Sequence, residues 1–377
     1  MKILLVSHYY PPHMGGMELV AQYQATYLAA QGHAATVVTS KVHAAEQNSV
    51  QKSLELARVR ALNFFESLWG IPFPIFSPTL LLVLMRSAKK ADVVHIHDAF
   101  YISSFVAAVC ARWYRKPIVL MQHVEMVNHP SALVMFLQRA VYATTGAYIF
   151  KVSDKILTLN DRVEQFLIEQ GVPQKKLIRF LNGVDTELFY PAIPEEKRIL
   201  KEKLHLNPDK KAVLFVGRFV PKKGFQKLLA LRDTEYQLVF CGGSKPDQAP
   251  ENAVFMGPMP HVDTAPVYRA ADIFVLPSEG EGFPLSVQEA MASGLPVITT
   301  NDRGYQRYAF NHDRICLIDN PTVQSIEAAI RDLLNDPDRM EAMSRYSREY
   351  ALAHFSWPKV IARLIDSYKE VCKPPLV

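Results

Sequence analysis

Short apolar runs recur along the chain at intervals filled by polar, helix-like segments. In the first half they are Ile3–Val6, Ala35–Thr39, Val93–Ile96, Ile118–Met121 and Lys155–Leu159; in the second, Val213–Val216, Gln237–Cys241, Ile273–Leu276 and Pro296–Thr299. Runs this short read as buried strands, and their alternation with helices predicts an α/β fold with parallel sheets covered on both faces. The rhythm breaks at Asp185–Asn207, where Pro191, Pro194 and Pro208 surround a charged stretch, so a domain boundary is expected near Tyr190. Beyond the last run the chain is helical and polar through Ser325–Ala353. It ends in Trp357–Val371, whose apolar positions follow the helical period.

Composition narrows this picture. A chain of 377 residues exceeds one ordinary core and suits two domains, each of under about 200 residues. With 49% hydrophobic and 21% charged residues it belongs with globular proteins rather than disordered or membrane-integral ones. Cys110, Cys241, Cys316 and Cys372 lie far apart without metal-ligand spacing, and are expected to be reduced, mostly buried thiols of a cytoplasmic protein. The opening MKILLVSHYYPP lacks the longer apolar core and cleavage site of a signal peptide, and Ile71–Met85, broken by Pro72, Pro74 and Pro78, is shorter than the roughly 20 residues of a spanning helix. Residues 1–190 hold 18 Lys and Arg against 13 Asp and Glu, the whole of the net +5. Together with the apolar stretches Phe64–Met85 and Ala132–Phe150, this excess gives two readings: peripheral contact with an anionic membrane surface, or scattered solvated lysines beside core helices. No basic run carries interleaved aromatics, which argues against nucleic acid.

The candidate chemistry lies at strand ends. Ser278–Gly294, reading SEGEGFPLSVQEAMASG, starts where Ile273–Leu276 stops, the place where open α/β sheets bind ligands. Pro284 suits the first turn of the next helix, whose free amides would hold a phosphate, while Gly280 and Gly282 allow close backbone approach. Glu281 and Glu289 are two carboxylates suited to a polyhydroxylated ligand, although by themselves such glutamates are more often surface charge or helix-dipole partners. Arg218 and Lys223, after Val213–Val216, would neutralise a diphosphate leaving group or belong to a solvated turn. Gly15 and Gly16 open a helix after the first strand, in a loop suited to phosphate, but without the G-x-G-x-x-G of nicotinamide binding. His123 follows a strand and is either a site residue or a core histidine. His95 and His97 are read as alternating, so that at most one faces a ligand, and Asp98 is either a site residue or a strand-end cap. Asp336-Pro337-Asp338 falls in a turn between helices and is not read as a metal site.

In order and spacing, PP…GG, VVHIHD, Gln122-His123, the NGVD of Asn182–Asp185, GR…KG at Arg218–Gly224, PSEGEGFPLSVQEAMASGLPVI and the terminal FSW resemble glycosyltransferase family 4 over essentially the whole length. The resemblance implies the GT-B fold: two Rossmann-like, doubly wound domains facing across a cleft. The expected divisions are 1–190 for the acceptor, 191–355 for the nucleotide sugar, and 356–377 as a helix crossing back to the first domain. It further implies a retaining, metal-independent hexosyltransferase without cofactor, using a nucleoside diphosphate sugar, UDP first and GDP second. The acceptor would be a saccharide or lipid-linked glycan of cell-surface polysaccharide or lipopolysaccharide synthesis, at the inner face of the cytoplasmic membrane. Glu281 would hold the donor sugar, Glu289 the ribose, and Arg218, Lys223 and the amides near Gly16 and from Phe283 through Pro284 to Leu285 the diphosphate. His123 would lie beside the sugar, the backbone around Met256–Met259 against the base, and His97 and Asp98 toward the acceptor. Two departures stand out: Pro284 replaces the glycine of EGFG, and only Gly304 remains of a later Gly-Gly. A GT-B epimerase or phosphorylase, or a non-catalytic sugar-nucleotide binder, would share these features.

Overall fold

The apolar runs form the strands of two parallel sheets. The computed structural model describes residues 1–13, 15–42, 48–69, 73–126, 131–279 and 283–373. The chain divides into two compact units, residues 1–181 with 358–377, and residues 182–357.

The first unit holds strands β1 (Lys2–Val6), β2 (Ala34–Lys41), β3 (Ser49–Gln51), β4 (Leu54–Leu62), β5 (Ile75–Phe76), β6 (Val93–His97), β7 (Ile118–Gln122), β8 (Lys155–Thr158) and β9 (Leu177–Arg179). They run in the order β3-β4-β2-β1-β6-β7-β8-β9, parallel except for β3 and β5, which pair antiparallel with β4. Leu4 pairs with Thr36 on one side and Val94 on the other, so the centre of the sheet is apolar on both faces. The helices are α1 (Gly16–Ala30), α2 (Phe64–Trp69), α3 (Thr79–Lys90), α4 (Ile102–Trp113), α5 (Ala132–Val141), α6 (Ala147–Val152) and α7 (Asp161–Glu169), with a π-helical turn at Tyr142–Gly146 joining α5 to α6. Leu84, Ala108, Ala111, Ile149 and Phe150 pack α3, α4 and α6 into one core on a single face of the sheet.

The second unit holds α8 (Pro194–Lys203), α9 (Phe225–Leu229), α10 (His261–Ala270), α11 (Leu285–Ala292), α12 (Val323–Leu334) and α13 (Pro337–His354) around β10 (Lys211–Val216), β11 (Tyr236–Cys241), β12 (Ala253–Gly257), β13 (Ile273–Leu276), β14 (Val297–Thr300) and β15 (Cys316–Ile318). Its sheet runs β12-β11-β10-β13-β14-β15, all parallel. The chain winds outward from β10 to β12, then restarts on the other side of β10, leaving a crevice at the carboxyl ends of β10 and β13. The last helix, α14 (Trp357–Cys372), belongs from Pro358 onward to the first unit, where the Tyr368 hydroxyl meets Nδ1 of His95 at 3.0 Å and Lys155 pairs with Glu370 at 2.8 Å.

The boundary falls at Leu181/Asn182 rather than near Tyr190. The NGVD turn is tied into the second unit by Val184 N–H donating to the Phe355 carbonyl at 2.7 Å, and a Cβ on Gly183 would lie 2.3 Å from the Trp357 ring. The Pro-rich stretch read as a connection contains α8, whose buried Lys201 pairs with Asp272 at 2.8 Å. Ile71–Met85 becomes, from Ile75, β5 and most of α3; among the described residues no helix is long and apolar enough to cross a membrane. All four cysteines are free thiols, but Cys316 is only half-buried and Cys372 is exposed.

Candidate functional site

In the second unit the crevice is lined by two loops held against each other. Gly224 has φ 72°, and a Cβ there would come within 2.3 Å of the Pro277 carbonyl oxygen, so a left-handed glycine lets the loop after β10 touch the loop after β13. Glu279 N–H donates to the Lys222 carbonyl at 2.9 Å, and Lys227 pairs with Glu279 at 2.7 Å. Arg218 is exposed, and the half-buried Lys223 lays its methylenes 3.6 Å from where a Cβ on Gly217 would sit. Both expected cations therefore stand at the switch point, beside the segment leading to α11.

Pro284 is the N-cap of α11, with extended backbone at ψ 139°, rather than a first-turn residue. Leu285 and Ser286 consequently occupy the first helical positions, whose amides lack intrahelical acceptors and face a potential anion. Phe283 turns inward, with ring centroids 4.3 Å from Tyr308, 5.3 Å from Tyr305 and 5.3 Å from Phe355, and so anchors the loop through its side chain. Glu281, with Gly280 and Gly282, lies outside the described residues. Gly304 is buried, and its N–H donates to Asp302 Oδ1 at 2.8 Å. Asp336 caps α13 by accepting from Arg339 N–H at 2.9 Å, the structural use its turn position predicted.

Glu289 is the most constrained member. Read from the sequence as a hydroxyl-binding or surface carboxylate, it is buried on α11, with Oε1 2.7 Å from His261 Nε2 and Oε2 accepting from the Tyr268 hydroxyl at 2.8 Å. Burial alone would depress the His261 pKa, but the Glu289 charge outweighs it and holds it above the usual value. His261 and Tyr268 went unrecognised in the sequence, although a seven-residue spacing on α10 puts them on one helical face. Met259, half-buried, leads from β12 into α10 beside them.

In the first unit, Asp98 and His123 directly follow β6 and β7. Nδ1 of His97 lies 3.0 Å from Nε2 of His123, so one of these nitrogens carries the proton and the other accepts. His95 and His97 share a face, their rings 4.7 Å apart, because residues two apart on a strand point the same way; the expectation that they alternate is corrected. Burial depresses His123 and His95 to about 3 and keeps His97 and His8 well below the ordinary range, so all four are neutral near pH 7. Asp98, at φ 65°, accepts from Phe100 N–H at 3.1 Å and has no solvent exposure, which makes it a strand-end cap. Burial raises its carboxyl to about 6, against the lowering effect of the surrounding donors. His97 is equally buried, so neither expected acceptor residue is presented to solvent.

The loop between β1 and α1 holds a cluster that sequence reading missed. His13 joins Glu18 at 3.1 Å and Glu66 at 3.0 Å, and its ring stacks on Tyr9 at 3.9 Å. Burial opposes the charge on His13, yet the two carboxylates raise its pKa. Gly15 caps α1, and a Cβ there would meet Glu18 Oε2 at 2.2 Å. The missing side chain of Gly15 thus makes room for Glu18, and Gly16 begins the helix. The cue available in the sequence was a histidine five residues before a glutamate across the glycines.

Two family profiles match the chain: Glycosyltransferase Family 4 over residues 14–188 and Glycosyl transferases group 1 over residues 196–350. A glycogen synthase of Mycobacterium tuberculosis is 26% identical, covering 98% of this chain and 94% of its own. A GDP-mannose-dependent alpha-mannosyltransferase of the same species is 26% identical over 98% and 97%. Among solved structures, Anabaena HepE in complex with UDP-glucose superposes with a TM-score of 0.76 at 16% identity, covering 98% of this chain and all of that one, a likeness of fold.

Proposed function

This chain belongs to the family 4, group 1 glycosyltransferases and has their GT-B fold, and we propose that it moves a hexose with retention from a nucleoside diphosphate sugar to a saccharide or lipid-linked acceptor. The observation that carries the reading is the contact of two loops at one switch point, Glu279 N–H on the Lys222 carbonyl, which gathers Arg218, Lys223 and the start of α11 within a single unit. The uncaught amides of Leu285 and Ser286 and the two cations form the charge complement of a diphosphate, so that charge arising as the glycosidic bond breaks meets preorganised donors. In this reading no metal or cofactor takes part.

Glu289 takes the ribose hydroxyls, its orientation set by Tyr268 and His261. Glu281 takes the sugar hydroxyls. His123 contacts the transferred sugar as a neutral imidazole, and His97 acts through it as a positioning residue. With no residue assigned as covalent nucleophile, the donor phosphate assists deprotonation of the acceptor on the face the leaving group vacates. UDP is the first donor base to test and GDP the second, since one solved neighbour binds UDP-glucose and one relative is named for GDP-mannose. A lipid-linked acceptor of surface-polysaccharide or lipopolysaccharide synthesis at the inner face of the cytoplasmic membrane completes the proposal.

The test is transfer from a panel of UDP- and GDP-sugars, with nucleotide-induced shifts in melting temperature measured in parallel. Lys223→Ala and Glu281→Ala are expected to lower turnover about 100-fold or more. Glu289→Gln is expected to weaken nucleotide binding while leaving the fold intact. Folded Lys223→Ala and Glu281→Ala variants with full turnover would defeat the assignment. Donor conversion that needs no acceptor would point to an epimerase or hydrolase, and nucleotide binding without conversion to a non-catalytic binder.

A further inference from the structure

The helical layer formed by α3, α4, α5 and α6 in the first unit has no use in the chemistry above, and its composition is unusual. These helices carry Arg86, Lys89, Lys90, Arg112, Arg139 and Lys151 without a single Asp or Glu. Helix α5 is buried the wrong way round: Gln138 is its buried residue, whereas Leu133, Phe136 and Leu137, one stripe at helical spacing, are 65%, 64% and 51% exposed. On α4, Ile102, Val109 and Trp113 form a second exposed stripe, and Trp113 is 75% exposed. A buried glutamine opposite exposed Leu and Phe is opposed by the hydrophobic effect unless an apolar medium covers the outer face.

Charge says which medium. At the C-terminal end of α4 a surface pocket of about 470 Å³ is lined by Arg112, Lys151, Lys175 and Lys176, with Asp154 the only carboxylate lining it among the described residues. Lys176 is engaged, its Nζ donating to the Lys151 carbonyl at 2.7 Å, and Asp154 accepts from Ile118 N–H at 2.8 Å. Arg112, Lys151 and Lys175 are exposed and make no recorded ion pair among the described residues. The pocket sits at the amino ends of β7 and β8, where Asp154 N–H also meets the Ile118 carbonyl at 2.9 Å. Asp98 and His123 are at the opposite, carboxyl edge of the sheet. Helix α4 runs between the two edges, so its stripe spans ~17 Å.

We infer that the outer face of α3–α6 lies on an anionic lipid surface, with Leu133, Phe136 and Leu137 inserted among the acyl chains and Arg112, Lys151 and Lys175 holding phosphate headgroups. A buried protein interface would have to neutralise those cations with acids of its own, whereas a bilayer supplies negative charge and an apolar interior together. The inference localises the membrane contact of the functional reading and rests on it for its purpose, but binding is measured without sugar transfer, so the two can fail separately.

The experiment is flotation of the full chain with vesicles of phosphatidylcholine alone or mixed with phosphatidylglycerol. Binding is expected to the mixed vesicles only, and to weaken with added salt. The triple variant Arg112→Gln, Lys151→Gln, Lys175→Gln should lose on the order of a hundredfold in partitioning, at about fivefold per cation. Phe136→Ser with Leu137→Ser should weaken what binding remains at high salt. All these positions are exposed, and an unchanged nucleotide-induced melting shift confirms that the variants are folded. Equal binding to both vesicle types, binding that survives the triple variant, or a solution dimer that Phe136→Ser dissociates would each overturn the inference, the last by showing that a second copy covers the face.

Discussion

Replacing Gly224 by alanine tests how the loops after β10 and β13 are held. Its φ of 72° costs any L-residue about 1 kcal/mol, partly offset by about 0.5 kcal/mol from the stiffer unfolded chain. Gly257 shares that φ of 72° but has nothing within 4 Å of its would-be Cβ, so Gly257→Ala isolates this backbone term. At Gly224 the new Cβ would also lie 2.3 Å from the Pro277 carbonyl oxygen, and the backbone must move; overpacking of this kind adds about 1–3 kcal/mol. The expected loss is therefore about 0.5–1 kcal/mol for Gly257→Ala and about 1.5–4 kcal/mol for Gly224→Ala. In a unit of this size, at about 2–4 °C per kcal/mol, those figures lower Tm by about 1–4 °C and about 3–16 °C respectively. Displacement of the loop also moves Lys223 from the strand end, so Gly224→Ala should bind UDP or GDP at least tenfold more weakly. Differential scanning fluorimetry with a nucleotide titration reads both effects. Melting temperatures within about 2 °C of each other would refute the argument that contact with Pro277, rather than φ, makes this glycine necessary.

Two further predictions concern buried charge. His8, His95, His97 and His123 have folded-state pKa values below the unfolded value of about 6.5, so their stabilising effect is present above that pH and is lost as the pH falls toward the folded values. His95 and His123, depressed to about 3, should each cost about 1.4 kcal/mol at pH near 5.5, and the urea midpoint should fall steeply between about pH 7 and 5; imidazole NMR signals that titrate normally in this range would contradict the assignment. Asp98 behaves oppositely: its carboxyl, raised to about 6, stabilises at low pH and loses that contribution as pH rises through 6. Asp98→Asn should therefore be more stable than the parent by about 2–3 kcal/mol at pH near 8, with the gain vanishing below pH about 4, and an advantage independent of pH would count against buried ionisation.

The central strands were legible because they are buried on both faces and read as unbroken apolar runs. Others were not: β12 is half-buried throughout, and β4 alternates as Leu54-Glu55-Leu56-Ala57-Arg58, so neither produces such a run. Arg218, Lys223 and Glu289 could be singled out because the loops after β10 and β13, and the helix that follows the second of them, keep recognisable spacing and residue types. The roles of Glu18, Glu66, His261 and Tyr268 were invisible, since each depends on a partner distant in sequence. The chain alone determined the α/β class, the two-domain organisation and the position of the Ser278–Gly294 motif after a strand, because hydrophobic period and turn chemistry are local properties. Tertiary structure alone decided that Pro284 caps α11, that Gly15 makes room for Glu18, that Asp98 is an internal cap, and that α5 turns its leucines outward. Each outcome depends on which distant atoms fill the space beside a residue, and no local period records that.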